Sequence, residues 1–224
     1  AILRKWFDLM MENQRDLGII MTAEQGKPLA EAMGEIAYGA SYVEFYAEEA
    51  KRIYGDIIPN TADGKRIVVL KQPVGVVGSI TPWNFPLMIA IWHIVPGIRT
   101  GNTVVIKPSP FTPLSTLRMV ELFNEALPAG LVNVVSGGDE LGAELTNHSG
   151  ISKIVFTGSI ATGKKVMASA AKGVVPVTLE LGGNDPGIML PGTDPAQFAE
   201  GLFFGSMFNS GQTCGALKRL YVHE

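Results

Sequence analysis

An α/β fold built on a parallel sheet is predicted by two features of this 224-residue chain. From position 66 onward, short β-branched stretches of near-continuous hydrophobicity alternate with segments of helical spacing. Strands buried on both faces have this pattern, because helices cover a parallel sheet above and below. Composition agrees: 46% hydrophobic residues, 17% charged residues and a net charge of -3 describe an ordinary soluble globular protein.

In chain order, residues 1 to 22 and 28 to 53 read as helices, with Ala, Glu, Tyr and Phe recurring at helical spacing up to Gly55. Arg66-Ile67-Val68-Val69-Leu70-Lys71 reads as a strand, and Val74 to Ile80 as a second that ends in a Pro-rich loop. The rhythm continues with helix 87 to 100, strand 103 to 107, helix 113 to 126, strand 132 to 135, helix 139 to 147, strand 153 to 156 and helix 160 to 172. A further set begins near Val177, with a strand over 187 to 190, a helix over 195 to 208 and a strand over 219 to 223. No internal repeat or low-complexity linker interrupts it.

Several classes are excluded at this level. The 18 Lys and Arg are scattered, so no basic stripe offers itself to nucleic acid. Residues 72 to 98 carry no Asp, Glu, Lys or Arg and are long enough to span a bilayer. Pro73, Pro82, Pro86 and Pro96 are expected to break any helix there, and Asn84 would be an unpaired amide in lipid. A single cysteine permits no intramolecular disulfide, and no export signal is recognisable, so a reducing, cytoplasmic setting is expected. The opening Ala1-Ile2-Leu3-Arg4-Lys5-Trp6-Phe7 reads as mid-helix, hence as part of a longer protein. No metal site is expected.

Ligands of parallel sheets bind beyond the carboxyl ends of the strands, and four such ends carry chemistry here. Thr81-Pro82-Trp83-Asn84-Phe85-Pro86 is a rigid loop presenting an amide that could donate to an oxyanion, or could only bond its own loop. Lys107, at the end of Val104-Val105-Ile106-Lys107-Pro108-Ser109-Pro110, could reach a ribose hydroxyl or a phosphate, or stand as a solvated charge. In Phe156-Thr157-Gly158-Ser159-Ile160-Ala161-Thr162-Gly163, Gly158 permits a tight turn and Ser159 faces any pyrophosphate at the following helix N-terminus. Glu180, in Val177-Thr178-Leu179-Glu180-Leu181-Gly182-Gly183-Asn184, is a candidate general base or a capping or salt-bridged acid.

Cys214 lies in Asn209-Ser210-Gly211-Gln212-Thr213-Cys214-Gly215, where flanking glycines leave the thiol open to a substrate. A lone cysteine can equally be inert packing. His93, His148 and His223 show no motif pairing with it, which counts against a cysteine hydrolase.

Taken in order and spacing, Pro-Trp-Asn-Phe-Pro, Lys-Pro-Ser, Phe-Thr-Gly-Ser with Thr-Gly, Glu-Leu-Gly-Gly and Gly-Gln-Thr-Cys make the chain resemble the aldehyde dehydrogenase superfamily over essentially its whole length. The resemblance implies Cys214 as nucleophile, Glu180 as base, and Asn84 with the Cys214 backbone N–H as oxyanion hole. It implies NAD or NADP as cofactor, with Lys107, Ser109 and Ser159 at the adenosine ribose and pyrophosphate, Gly137 near the adenine and Leu181 near the nicotinamide. Ile80, Thr81, Pro82, Trp83, Phe156 and Gly158 complete the implied cofactor surface. The implied chemistry runs from thiohemiacetal to thioester and, because Glu180 is present, to hydrolysis rather than transfer to coenzyme A. The implied architecture is a Rossmann-like parallel sheet with helices on both faces. Residues 1–180 would be N-terminal helices and dinucleotide-binding domain, and 181–224 the beginning of an α/β catalytic domain.

Departures from the family pattern carry further expectations. Pro110 stands where many NAD-dependent members have a glutamate on the ribose hydroxyls, so NADP is expected to be accepted at least as well as NAD. Glu24-Gln25-Gly26-Lys27-Pro28-Leu29 and Tyr38-Gly39-Ala40-Ser41 resemble succinate-semialdehyde dehydrogenases. Those enzymes pair the substrate carboxylate with an arginine where this chain has Trp92. Met88 and Trp92 therefore predict an apolar aldehyde, with the semialdehyde as the alternative. The family continues beyond the nucleophile to a Glu-x-Phe motif and an oligomerisation hairpin. The chain is thus expected to be a truncated fragment with exposed apolar surface, inactive alone and homo-oligomeric when full length. A non-catalytic homologue is the reading from another class.

Overall fold

In the computed structural model, which describes residues 1–223, the chain opens with helices α1 (Ile2–Glu12), α2 (Gln14–Gln25) and α3 (Leu29–Glu49). The single helix expected over 1 to 22 is broken at Asn13, whose side-chain Nδ2 donates to the Leu9 carbonyl at 2.8 Å. Asparagine competes in this way for helical backbone groups. Gly26 closes α2 at a φ of 91°, a left-handed cap. α3 stops at Glu49, short of 53, and passes into a 3-10 turn over Ala50–Arg52.

Strand β1 (Asp56–Ile58) was not expected from sequence, since three residues are too few to show a period. It pairs antiparallel with β2 (Ile67–Val69). Of the stretch 66 to 71 only these three residues pair, in a hairpin apart from the main sheet, with Ile57 81% and Leu70 74% exposed.

The main sheet consists of β3 (Val76–Ile80), β4 (Thr103–Lys107), β5 (Val132–Val134), β6 (Lys153–Gly158) and β7 (Val177–Leu181), all parallel, in the order β5-β4-β3-β6-β7. Its crossovers are helices α4 (Pro86–Arg99), α5 (Leu114–Ala126), α6 (Asp139–Asn147) and α7 (Ile160–Gly173). Val77, Val104 and Ile106 face α4 and α5 in one core, where Trp6 of α1 meets Phe123 of α5 edge-to-face at 4.2 Å. Ile154 and Phe156 face Val166 and Ala170 of α7 in the other. Each such large side chain contributes about 1.5–3 kcal/mol by leaving water.

The strand expected over 74 to 80 starts two residues late, because the Val74 and Gly75 amides turn to the side chain of Asn102. Pro96 does not break its helix as expected: it lies inside α4, one turn from an end where the Thr100 hydroxyl takes up the Pro96 carbonyl at 2.8 Å. α4 has 14 residues, and no helix among the described residues is long and apolar enough to cross a membrane.

Beyond the main sheet, β8 (Asp185–Met189) and β9 (Leu217–Val222) form a separate parallel pair joined by α8 (Pro195–Met207). Both strands begin two residues before their expected starts. Asp194 caps α8, accepting from the Ala196 amide at 3.0 Å. α8 has no buried residue, and Phe198, Phe203 and Phe204 are all more than half exposed.

Three glutamates tie the N-terminal helices to distant elements. Glu24 accepts from the Leu114 and Ser115 amides at 2.6 and 2.9 Å, capping α5. Glu35 accepts from Leu87 and Met88 at 3.2 and 3.0 Å, capping α4. Glu31 accepts from the Asn209 amide at 2.7 Å. Carboxylates satisfy helix N-termini and complement their positive ends.

Candidate active site

After β3, β4 and β5 the chain returns so that β6 lies against the other edge of β3, which makes β3 and β6 the switch point of the sheet. Ligands of open α/β sheets bind in the crevice outside such strand ends. Ile80 pairs in register with both Lys107 and Phe156, and Gly158 with Leu181, so four of the candidate segments converge there.

Several of these residues place polar groups at the strand ends. Lys107 is buried, so it is not a solvated charge. Its Nζ reaches the Pro108 carbonyl at 3.3 Å and has no ion pair among the described residues. Burial lowers its pKa, and Asp139 at the start of α6 partly opposes this. The Thr81 hydroxyl is buried without a partner, while the Thr81 amide donates to the Lys107 carbonyl at 3.2 Å. A buried cation without an ion pair among the described residues and a hydroxyl without a hydrogen-bond partner, at adjacent strand ends, could hold a ribose and pyrophosphate.

The neighbouring candidates lie at the ends of these strands or in the segments that follow them. Ser159 is the N-cap of α7, its Oγ accepting from the Thr162 amide at 3.2 Å. Ser109 is buried, its Oγ accepting from the Phe111 amide at 3.3 Å. A Cβ on Gly158 would stand 2.6 Å from the Phe156 ring, and one on Gly137 2.7 Å from Leu141. Leu181 packs where a Cβ on Gly163 would come within 2.6 Å of it. Pro82 is half-buried and Trp83 exposed, its carbonyl receiving the Thr112 hydroxyl at 3.1 Å.

Asn84 does not bond its own loop. Its Nδ2 donates at 2.7 Å to the carbonyl of Gln212, two residues before Cys214. Cys214 is exposed on a turn. Phe85 and Phe208 stack with centroids 6.3 Å apart, pressing the two loops together. Lys218 Nζ donates to the carbonyls of both Gly183 and Cys214 at 3.2 Å, which brings the Glu-Leu-Gly-Gly segment alongside the thiol. Glu180 is exposed, pairs in register with Thr157, and makes no hydrogen bond to Cys214 among the described residues. Met88 is buried with Phe85 and Ile89, and Trp92 packs against them. The Trp92 ring also meets Tyr38 at 6.0 Å and Tyr42 at 5.2 Å, forming an aromatic wall.

Three residues of this region had no role from sequence. His93 of α4 is buried, its Nδ1 2.8 Å from Ser79 Oγ of β3 and its Nε2 2.9 Å from Thr157 Oγ1 of β6, a bridge across the switch point. Burial pushes its pKa down to about 3. Lys27 is buried in an ion pair with Glu35 and donates to the Asn84 carbonyl at 2.9 Å. Burial lowers the Lys27 pKa and raises that of Glu35, against the attraction between them. Asn209 is fully buried, with a left-handed backbone at φ 56°. No local pattern gives these three a role, because each has a partner distant in sequence.

The chain thus combines a parallel α/β sheet, whose switch point lies at β3 and β6, with two loops joined beside an exposed thiol. The chain belongs to the aldehyde dehydrogenase family, whose model matches residues 1–224. It is 51% identical to the mitochondrial succinate-semialdehyde dehydrogenase of Arabidopsis thaliana, over all of this chain and 43% of that protein. To the glutarate-semialdehyde dehydrogenase of Pseudomonas putida it is 50% identical, over all of this chain and 47% of that protein. To the succinate-semialdehyde dehydrogenase [NADP(+)] of Escherichia coli it is 49% identical, over all of this chain and 47% of the relative. The crystal structure of an E. coli NADP-dependent enzyme superposes with a TM-score of 0.96 at 49% identity, over 99% of this chain and 47% of that one. The chain thus spans about half the length of the curated relatives it matches.

Proposed function

We propose that this chain carries the cofactor crevice and the nucleophile of an NAD(P)-dependent aldehyde dehydrogenase that oxidises an aldehyde to a carboxylic acid. The observation that carries the reading is the junction of the Asn84 amide with the Cys214 loop at the Gln212 carbonyl. An amide has two N–H donors. One is anchored on Gln212, and the second is free for an oxygen developing beside Cys214.

In this reading the Cys214 thiolate attacks the aldehyde carbon, and the resulting alkoxide is held by Asn84 and the Cys214 backbone N–H. When bound, the nicotinamide dinucleotide supplies the hydride acceptor. Loss of hydride from the thiohemiacetal carbon leaves a thioester on Cys214. Glu180 takes a proton from water, the hydroxide adds to the thioester carbon, and the thiolate departs as the acid forms. Lys107, Ser109 and Ser159 would hold the ribose and pyrophosphate of that cofactor, with Gly137 toward the adenine and Leu181 toward the nicotinamide. Exposed Pro110 brings no negative charge to that ribose. NADP is therefore accepted at least as well as NAD, a reading supported by the NADP(+) in the name of the E. coli relative.

The wall of Tyr38, Tyr42 and Trp92 supports an apolar aldehyde. A second reading, a short semialdehyde bearing a carboxylate, is favoured by the names of relatives at 49–51% identity. The test uses the protein expressed from its complete reading frame. Cys214→Ser is expected to abolish aldehyde-dependent reduction of cofactor, and retained oxidation refutes the assignment. Initial rates with NAD and NADP, and with succinic semialdehyde and an uncharged aliphatic aldehyde, decide the cofactor and substrate readings. Strict NAD preference sinks the first.

A further inference from the structure

We propose that Asn209 and Lys27 are positioning residues that clamp the Asn84 carbonyl from two sides and so aim its side-chain amide at the oxygen beside Cys214. The inference rests on the reading of Asn84 as oxyanion donor and adds the machinery that holds it. Asn209 Nδ2 donates to the Asn84 carbonyl at 2.9 Å and to the Gln212 carbonyl at 3.2 Å. Asn84 Nδ2 donates to that same Gln212 carbonyl at 2.7 Å. The two amides and the two carbonyls therefore close a ring that joins the Pro-Trp-Asn-Phe-Pro loop to the nucleophile loop.

Both clamps are themselves fixed. Lys27 Nζ donates to the Asn84 carbonyl at 2.9 Å while buried against Glu35 and set 4.3 Å over the Phe85 ring. Glu35 in turn holds the first turn of α4, which begins two residues after Asn84. Asn209 sits in a left-handed conformation that costs most side chains about 1 kcal/mol or more. Its amide is held by Glu31 at 2.7 Å. A strained residue that persists with every side-chain donor spent on two loops over-determines the geometry between them. Preorganised donors stabilise a developing charge only when they need not rearrange, and a misplacement of about 1 Å can cost roughly 100-fold in rate.

The test is a double-mutant cycle in the protein from the complete reading frame, read as the single-turnover rate of cofactor reduction at saturating aldehyde and NADP. Asn84→Ala keeps the backbone carbonyl, and with it both clamping bonds, while removing the aimed group. Asn209→Gly accepts the left-handed backbone and removes only the side chain. Asn84→Ala is expected to slow the step by about 100- to 1,000-fold. Asn209→Gly is expected to slow it by about 10- to 100-fold. NADP affinity and the rate of Cys214 alkylation by iodoacetamide should stay unchanged in Asn209→Gly, and the variant should add nothing in the Asn84→Ala background. The paired change Lys27→Met with Glu35→Gln, which leaves no buried charge alone, is expected to behave in the same way. Equal slowing in both backgrounds would mean a merely structural role and overturn the clamp, as would an undisturbed rate in Asn209→Gly beside a slow Asn84→Ala. An undisturbed rate in Asn84→Ala itself would bring down the oxyanion reading, and the clamp with it.

Discussion

The His93 bridge predicts a specific acid sensitivity. Burial holds the folded-state pKa at about 3, whereas an ordinary histidine has 6.5. Between these values the unfolded chain binds a proton that the folded chain does not, so stability is full above the unfolded value and falls as the pH falls. Lowering the pH from 7.5 to 5.0 should therefore cost roughly 2 kcal/mol through this one residue, at about 1.4 kcal/mol per pH unit below 6.5. His93→Gln keeps a neutral hydrogen-bonding side chain between Ser79 and Thr157 and removes the titration. Urea unfolding of the wild type and the variant at both pH values measures the difference. The wild type should lose about 2 kcal/mol more than His93→Gln over that interval, and parallel losses in the two proteins would refute the reasoning.

Other perturbations have equally definite outcomes. Gly158→Ala places a Cβ 2.6 Å from the buried Phe156 ring; it should destabilise by about 1–3 kcal/mol and weaken NADP binding, measurable by thermal melting and fluorescence titration. Glu24→Ala leaves the Leu114 and Ser115 amides without their acceptor; a cap of this kind is worth roughly 1 kcal/mol, so the melting temperature should fall by about 2–4 °C with kcat preserved. Trp92→Arg replaces the aromatic wall by a cation, which should raise kcat/KM for succinic semialdehyde relative to an uncharged aldehyde by about 10-fold or more, the size of one charge-assisted hydrogen bond.

The alternation of apolar strands and helical segments was enough to place four strands of the main sheet, because a buried parallel sheet imposes its hydrophobicity on every strand. The fifth, β7, was expected to open a further set near Val177 and instead pairs with β6 at the edge of the main sheet, where alternate residues are exposed. The hairpin of β1 was not legible. Its residues are exposed, so no burial pattern marks them. The break at Asn13 is not legible either, because its interrupting bond to Leu9 leaves the apolar spacing on either side intact. At the site, Asn84 and Cys214 were visible as local chemistry, each in a restricted turn. Lys27 and Asn209 were visible only as members of motifs, since their partners lie 57 and 125 residues away. Lys107 is ambiguous in the sequence between solvated charge and ligand, because its burial depends on neighbours distant in sequence, such as Gly142 of α6 beside its side chain.

The glutamates of the N-terminal helices also bear on the order in which the protein is made. Glu31 accepts the amide of Asn209, a residue 178 positions later. Synthesis runs from the N-terminus at about 5–20 residues per second, so the carboxylates of Glu24, Glu31 and Glu35 emerge many seconds before the last group they will hold. Until Asn209 emerges, Glu31 has no such amide to receive, and the seat of the nucleophile loop waits in the nascent chain. Closing so long a loop is entropically slow, so the seating of the Cys214 loop against Asn84 waits on contacts between residues far apart in sequence.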